Sequence, residues 1–317
     1  MKVMRLGHVS LRVTDLERAR DHYANTLGLI ETHRDTDGGT YYKAWDEWDK
    51  YCLVLNAGTR PGANHVAFKV ESDADLDGFA RRAEKWGVAV EMLKPGTVNF
   101  VGRTVKITLP GGPIVMLYAE KEFVGKSVGS LNPDPWPDGL KGCGVMHLDH
   151  CLFVNQLDPA NGVNRVEECS RFFQEALDFK LTEQIVGGPD NRIQASAFLA
   201  CTSKPHDIAF VPGPQAGFHH LAFYVDSWDA VLKAGDVLSK RKVKIDIGPT
   251  RHGITRGSTI YFFDPSGNRN ETFSGLGYVV SRDMPTITWT EENLGQAIFY
   301  HHRELNPAFT SVYTDAA

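Results

Sequence analysis

An internal repeat constrains the fold of this chain more than any other feature of its sequence. Three stretches of the first half recur in the second half at matching spacing. The pairs are GHVSLRV (7–13) with DHCLFVN (149–155), NHVAFKVES (64–72) with HHLAFYVDS (219–227), and LPGGPIVMLY (109–118) with DPSGNRNETF (264–273). Self-similarity at this scale indicates that one structural unit has been used twice. A chain of 317 residues is long enough for two domains that each bury a core.

Each half combines short strands with two amphipathic helices. Apolar residues recur at helical spacing in four segments: Leu16, Ala19, Tyr23 and Leu27; Leu76, Phe79, Ala80 and Ala83; Val166, Cys169, Phe173 and Leu177; and Trp228, Val231, Leu232 and Leu238. Thr14 and Glu17 form a capping-box pattern before the first helix, and Gly28 and Gly87 are suited to end the first two helices. The stretches TYYKAW, YCLVL, IQASAFLAC and TIYFF have the two-residue period of strands.

These patterns predict an α+β fold in which each half contains two βαβββ modules. We expect an N-terminal domain at 1–140 and a C-terminal domain at 141–317. The Pro-rich stretch LNPDPWPDGLKG at 131–142 has the composition of a linker between them.

The charge balance favours a small-molecule partner. A net charge of -5 and a pI near 6.2 argue against binding to nucleic acid or to an anionic membrane. The sequence has no apolar run near the roughly 20 residues that cross a bilayer, and MKVMRLGHVS does not resemble a signal peptide. The 5 cysteines have no C-x-x-C spacing, which argues against a disulfide framework or a zinc knuckle. We therefore expect a cytoplasmic protein with reduced cysteines.

The two halves differ at one chemically decisive position. The equivalent sets are His8, His65 and Met116 in the first half, and His150, His220 and Glu271 in the second. Two neutral imidazoles and one carboxylate form a facial triad that leaves coordination positions open, as in non-haem Fe(II) oxygenases. The thioether of Met116 cannot supply the negative charge that the carboxylate of Glu271 supplies. The repeat therefore predicts a metal site in the second half only.

Each of these residues also has an ordinary structural interpretation. A single histidine or glutamate in a strand is usually a packing or surface residue, and the ligand pattern carries weight only as a set. Adjacent strand residues face opposite sides of a sheet, so either His219 or His220 faces the barrel interior. Alignment of the two halves places His220, and not His219, at the position of His65, so His220 is the predicted ligand. His8 and His65 are expected to be packing residues.

The stretch GPTRHGITRGSTIYFFDPSGNRNETF at 248–273 resembles the signature of the type I extradiol dioxygenases of the vicinal oxygen chelate superfamily. The matching positions are Gly248, Thr250, His252, Ile260, Tyr261, Asp264, Pro265, Gly267 and Glu271. The stretches YYKAWDEWDKYCLVL and TWTEENLGQAIFYHHREL extend the similarity over nearly the whole chain. The sequence looks closest to the catechol 2,3-dioxygenases, which act on monocyclic catechols, rather than to the biphenyl-type enzymes.

The resemblance implies tandem vicinal oxygen chelate domains, each with paired modules in an open barrel-like sheet. It implies Fe(II), in preference to Mn(II), held by His150, His220 and Glu271. His206, His252 and Tyr261 match the residues that act on substrate oxygens and protons, and His252 and Tyr261 also contact the substrate. The implied reaction is extradiol cleavage of catechol and methylcatechols by O2, yielding 2-hydroxymuconate semialdehydes. Relatives of this kind suggest a homotetramer.

The resemblance also predicts the surroundings of the substrate ring. The expected lining residues are Phe198, Ile254, Ile298 and Phe309. A C-terminal helix after a Thr290 cap, with Leu294, Ala297, Ile298 and Leu305 on one face, is expected to close a pocket that fits one ring. Simple core packing is the alternative role for that helix.

Other functions use the same scaffold. Glyoxalase-like isomerases and fosfomycin-type transferases recruit metal ligands differently and lack the set His206, His252 and Tyr261. A two-ring dihydroxybiphenyl-type dioxygenase is a further alternative. A binding module would need no metal, and the intact triad argues against it.

Overall fold

The computed structural model describes residues 1–276 and 278–316. They form two mixed β-sheets, each built mainly from one half of the chain, and the short last strand pairs with the first sheet. The strands of the first half are β1 (Val3–Val13), β2 (Ile30–Arg34), β3 (Thr40–Lys43), β4 (Leu53–Ala57), β5 (Gly62–Val70), β6 (Ala89–Leu93), β7 (Thr104–Thr108) and β8 (Ile114–Tyr118). Those of the second half are β9 (His147–Asp158), β10 (Val163–Asn164), β11 (Lys180–Gly187), β12 (Ile193–Ala200), β13 (Ile208–Gly213), β14 (Gly217–Tyr224), β15 (Ile245–Arg251), β16 (Ser258–Phe263), β17 (Arg269–Ser274), β18 (Ile287–Thr290) and β19 (Asp315–Ala316).

The first four helices lie where the apolar periodicity predicts them. The helices are α1 (Leu16–Asp21), which continues as a π-helix (His22–Leu27), α2 (Asp73–Trp86), α3 (Arg165–Leu177), α4 (Trp228–Lys240), α5 (Leu294–Ile298) and α6 (Pro307–Ser311). Short 3-10 turns occupy Pro159–Asn161, Pro189–Asn191 and Glu291–Asn293. None of the helices in 1–276 and 278–316 has the length and apolarity that a membrane span requires.

The two sheets repeat the same strand order. The first sheet runs β2-β3-β4-β1-β5-β8-β7-β6. Read from its other end, the second sheet runs β18-β11-β12-β13-β9-β14-β17-β16-β15, so the strands after β18 follow the order of the first sheet. In both, the first strands of the two modules pair antiparallel at the centre, β1 with β5 and β9 with β14. The predicted α+β fold with paired βαβββ modules is therefore confirmed.

The strand register also repeats across the halves. In the second sheet, Ala222 of β14 is opposite both His150 of β9 and Glu271 of β17. In the first sheet, Ala67 of β5 is opposite both His8 of β1 and Met116 of β8. Each of these two alanines follows the second histidine of its half, His220 or His65, by two residues. Residues two apart on a strand share a face, so each set of three side chains points to one side of its sheet.

Two details of the predicted helices are wrong. Asp15, and not Thr14, caps α1, because its carboxylate accepts a hydrogen bond from the amide of Arg18 at 3.0 Å. Leu232 of α4 is 41% exposed and lies outside the buried face of that helix. Gly28 ends the π-helix with φ 91°, in the left-handed region, as predicted for a helix stop.

The two halves share one continuous apolar core. The ring of Phe68 in the first half lies 6.1 Å from that of Phe173 and 5.3 Å from that of Phe179 in the second. The D-P-x-G turn adds a polar connection, because the hydroxyl of Tyr23 donates to the carboxylate of Asp264 at 3.1 Å. The Asp264 carboxylate also accepts hydrogen bonds from the backbone amides of Ser266 and Asn268 in its own turn. Asp264 therefore stabilises the turn and connects the two halves.

The C-terminal segment does not form the single helix that was predicted. It contains two short helices, α5 and α6, and Thr290 caps only a 3-10 turn without a side-chain hydrogen bond. The carbonyl of Ala297 accepts hydrogen bonds from the amides of Gly253 and Ile254, at 3.0 and 2.9 Å. The carbonyl of Ile298 accepts from the imidazole of His252. These tertiary partners occupy carbonyls that a longer helix would need, so α5 ends there.

Candidate active site

Three strands of the second sheet bring His150, His220 and Glu271 together. Their strands β9, β14 and β17 are neighbours, and the ligand atoms of the three side chains lie within 4.8 Å of one another. Oε2 of Glu271 is 3.1 Å from Nε2 of His150 and 3.1 Å from Nε2 of His220. All three side chains are buried. The result is a compact nitrogen and oxygen donor set that is suited to a divalent cation.

The bonding of these side chains fits a metal ion at their centre. Nε2 of His220 is buried and makes no hydrogen bond of adequate geometry to any residue that the structure describes. The other carboxylate oxygen of Glu271, Oε1, accepts a hydrogen bond from Thr259 at 2.5 Å. Oε2 is therefore left to face the two histidines. Burial acts to raise the pKa of Glu271. The effect of His150 and His220 is larger, and together they hold this pKa well below its ordinary value.

A buried acid orients the first histidine. Asp149 accepts a hydrogen bond from Nδ1 of His150 at 2.7 Å, which orients the ring so that Nε2 faces Glu271. Lys204 compensates the charge of this acid, since its ammonium lies 3.4 Å from Asp149 and 3.2 Å from Asp207. Burial acts to lower the pKa of His150, but Glu271 and Asp149 raise it to about 9.

His219 orients the second histidine. Its Nε2 lies 2.6 Å from the carbonyl of Phe309 and 2.8 Å from Nη1 of Arg269, and its Nδ1 lies 2.7 Å from Nδ1 of His220. This contact uses Nδ1 of His220, so Nε2 is the nitrogen that His220 presents to the site. His219 thus contacts Nδ1 of the His220 ring, while Nε2 of His220 faces Glu271. Neither Asp149 nor His219 was identified as a site residue from the sequence, although each immediately precedes a ligand-type histidine.

His206 lies next to the candidate metal site without joining it. Its ring centroid is 4.0 Å from that of His150 and 5.4 Å from that of Phe198. Burial, followed by the charge of His150, lowers the pKa of His206 well below the ordinary value. The neutral imidazole therefore has one nitrogen that can donate a proton and one that can accept a proton.

His252 and Tyr261 form a hydrogen-bonded pair on the other side. Nδ1 of His252 donates to the carbonyl of Ile298, so its Nε2 accepts from the hydroxyl of Tyr261 at 2.9 Å. Burial lowers the pKa of His252 and raises the pKa of Tyr261 well above the ordinary value. Nε2 of His252 is 4.0 Å from Oε1 of Glu271, which places the pair beside the ligand atoms.

One cavity joins all of these side chains. It has a volume of about 480 Å³ and is lined by the three ligand-type residues together with His206, His252 and Tyr261. The four predicted ring-contacting residues, Phe198, Ile254, Ile298 and Phe309, also line it. The cavity extends further than the expected pocket for one ring, because Leu157, Pro159 and Ile193 belong to its wall as well.

Comparisons with known proteins follow the two domains. Residues 147–272 match the model of the Glyoxalase/Bleomycin resistance protein/Dioxygenase superfamily. Residues 63–122 match the Catechol 2,3-dioxygenase-like N-terminal domain.

The similarity to individual proteins extends over nearly the full length. The chain is 42% identical to the metapyrocatechase of Pseudomonas sp. (strain CF600) over 314 residues, which are 98% of this chain and 99% of that protein. It is 27% identical to the manganese-dependent 2,3-dihydroxybiphenyl 1,2-dioxygenase of Geobacillus genomosp. 3, with 96% of each covered. The crystal structure of the 2,3-dioxygenase LapB from Pseudomonas sp. KL28 superimposes with a TM-score of 0.85 at 40% identity, covering 93% of this chain and 99% of that one.

Proposed function

The chain belongs to the extradiol dioxygenases of the glyoxalase/bleomycin resistance protein/dioxygenase superfamily, and we propose that within this family it is a catechol 2,3-dioxygenase. The proposed reaction is cleavage of catechol and methylcatechols by O2, next to the two hydroxyls, to give 2-hydroxymuconate semialdehydes. The observation that carries this proposal is the donor triad of His150, His220 and Glu271, with His206 on one side and the pair His252 and Tyr261 on the other, in one cavity.

We propose that His150, His220 and Glu271 hold Fe(II). Two imidazoles and a carboxylate also suit Mn(II), and one relative is named as manganese-dependent, so the choice of metal needs a direct test. When bound, the metal would act as a Lewis acid that binds the catechol oxygens, lowers the pKa of their hydroxyls and supports the reaction with O2.

The surrounding side chains have distinct proposed roles. The unprotonated Nε2 of His252 accepts from the hydroxyl of Tyr261, and it can accept a proton from a catechol hydroxyl once the substrate releases it from this bond. The hydroxyl of Tyr261 can donate to the resulting anionic oxygen. His206 is neutral, and it can stabilise a negative oxygen with its N–H and later transfer that proton. The buried apolar wall of Phe198 and Ile254 excludes water from the ring.

Anaerobic reconstitution with a single metal tests the proposal. Metal-free protein is loaded with Fe(II), Mn(II) or Zn(II), freed of excess metal, and mixed with catechol and then with air-saturated buffer. We expect a yellow, visible-absorbing ring-fission product with Fe(II), and one O2 consumed for each catechol cleaved. Formation of a colourless intradiol product, or no reaction with either Fe(II) or Mn(II), would contradict the assignment. The turnover of 2,3-dihydroxybiphenyl in the same assay distinguishes the two-ring alternative.

We propose that the subunits form a homotetramer. Trp48, Phe123 and Val124 are exposed and adjacent, since the amide of Val124 donates to the carbonyl of Trp48 at 2.9 Å, and an apolar patch of this kind is suited to a subunit interface. Light scattering after size-exclusion chromatography measures the mass, and a monomer at micromolar concentration would contradict the proposal.

A further inference from the structure

A buried glutamate contacts the loop that carries His252. This loop, the His252 loop, consists of residues 252–257 between β15 and β16, and the glutamate is Glu183 of β11, which is 1% exposed. Oε1 of Glu183 accepts a hydrogen bond from the amide of Thr255 at 2.6 Å. Its other oxygen, Oε2, accepts from the indole nitrogen of Trp289 at 3.0 Å. One carboxylate therefore connects β11, the His252 loop and β18.

The backbone of the His252 loop needs support of this kind. Thr255 and Arg256 both have φ 57°, in the left-handed region that β-branched and long side chains rarely adopt. Such conformations persist only where surrounding contacts hold them. Glu183 holds the amide of Thr255, and the carbonyl of Ala297 holds the two amides before it. The loop is thus anchored at three consecutive amides, one of which depends on a side chain.

The same carboxylate supports the second anchor of His252. The chain continues from Trp289 of β18 through a 3-10 turn into α5, whose last residue, Ile298, accepts the hydrogen bond from Nδ1 of His252. The Trp289 ring also packs closely on the loop, since a Cβ atom at Gly253 would lie only 3.0 Å from it. Glu183 therefore acts on His252 from two directions, through a loop amide and through Trp289.

A carboxylate suits this position better than an amide would. Burial raises the pKa of Glu183, and the hydrogen bonds from Trp289 and Thr255 oppose that rise. A carboxylate offers two acceptor oxygens to these two donors. A glutamine amide has a single acceptor oxygen, and its NH2 group would face the other donor. Glu183→Gln consequently removes one anchor with almost no change in side-chain volume.

We propose that Glu183 is a positioning residue for ring cleavage, which holds Nε2 of His252 at the hydroxyl of Tyr261 and beside Glu271. This inference rests on the proposed function, because His252 is the group proposed to accept a proton from the catechol. Glu183 is not among the described residues that line the cavity, so it acts through His252 and not on the substrate.

Hydrogen exchange of the metal-free protein tests the first step without turnover. Glu183→Gln should speed exchange of the peptide that covers 252–257 by at least about tenfold, the effect of losing one hydrogen bond to a charged group. Trp289→Phe removes the indole N–H but keeps a ring, so it should speed the same exchange, and it tests the linkage if Glu183→Gln does not fold.

Gln184→Ala is the matched control for both variants. The side chain of Gln184 also joins β11 to β18, because its amide donates to the hydroxyl of Thr288 at 3.1 Å. It lies on the opposite face of β11 from Glu183, since adjacent strand residues point to opposite sides. Gln184→Ala should therefore leave the exchange of the His252 loop unchanged.

A double-mutant cycle tests whether Glu183 acts through His252. In the metal-loaded enzyme, Glu183→Gln alone should lower kcat/KM for catechol by roughly 10–100-fold, the cost of displacing a catalytic group. Added to His252→Ala, it should cause less than about a threefold further loss, because the group that it positions is already absent. Gln184→Ala should change kcat/KM by less than about threefold in either background.

The outcomes separate this inference from the proposed function. If the wild-type enzyme cleaves no catechol, the proposed function is wrong. If it does cleave catechol, equal losses from Glu183→Gln with and without His252 would overturn the inference, because Glu183 would then act on overall stability. Unchanged exchange of the His252 loop in both Glu183→Gln and Trp289→Phe would overturn it as well.

Discussion

Lys121 donates a hydrogen bond from its side-chain nitrogen to Nδ1 of His8, at 2.9 Å. The proton of His8 is therefore on Nε2, which faces Nε2 of His65 at 3.1 Å and has no lone pair for a metal. In the second half, the equivalent histidine has the opposite partner, because Asp149 accepts from Nδ1 of His150. We therefore propose that the N-terminal domain holds no metal for two reasons, the thioether of Met116 and the reversed tautomer of His8.

The first prediction concerns metal content. Glu271→Gln should lose most of its metal, because it removes the only charge in the donor triad. Met116→Ala, at the equivalent position of the first half, should retain a full complement. His220→Ala and His65→Ala form a second matched pair with the same expected contrast. Elemental analysis of the four purified variants measures the outcome, and equal metal loss within either pair would contradict a single site.

The second prediction separates proton handling from metal binding. His206→Phe should keep its metal and its affinity for catechol, while kcat falls by roughly 10²–10⁴, the usual contribution of a general acid or base. The phenyl ring can occupy the space beside His150 and Phe198 but cannot transfer a proton. Anaerobic titration gives the affinity and single-turnover kinetics give the rate. Recovery of a metal-free variant would make His206 a ligand.

The third prediction concerns the acid behind His150. Asp149→Asn should weaken metal binding by about 10–100-fold, since partners that orient a histidine ligand usually contribute that much. Asp207→Asn is the matched control, because Asp207 also pairs with Lys204 but is not bonded to His150. The dissociation constants are measured by competition with a chelator. Equal weakening in both variants would mean that Asp149 acts only through Lys204.

The fourth prediction is a pH dependence of stability from the first half. Burial lowers the pKa of His22 to about 4, and its Nε2 has no hydrogen-bond partner among the described residues. The unfolded chain takes up this proton near pH 6.5, whereas the folded chain resists it down to about pH 4. The stability contribution is therefore present above about pH 6.5 and is lost as the pH falls toward 4.

Urea unfolding of the wild type and of His22→Leu measures this effect. Between about pH 7.5 and pH 5, the free energy of unfolding of the wild type should fall by about 2 kcal/mol more than that of the variant. All other titrating groups are common to the two proteins, so the difference isolates His22. Parallel pH profiles would show that His22 does not titrate with folding.

The sequence determined the repeated module and the difference between its two copies. Strand and helix periodicity are local properties, and they predicted the βαβββ modules because the core consists of the same alternating apolar faces. The repeat aligned His150, His220 and Glu271 with His8, His65 and Met116. The strand register places the two sets at equivalent positions of the two sheets. Side-chain type and spacing were sufficient to predict this donor set.

Tertiary structure decided the features that depend on long-range partners. The nitrogens that His8 and His220 present to their sites depend on Lys121 and His219, whose contacts do not follow from spacing. The C-terminal helix ends at Ile298 because carbonyls of that turn bond to the loop that carries His252. The length of the cavity likewise depends on how the ends of β9 and β13 approach the last segment of the chain. Local periodicity specifies which face of an element is apolar, but only the packed structure specifies which distant group satisfies each polar atom and how much space remains.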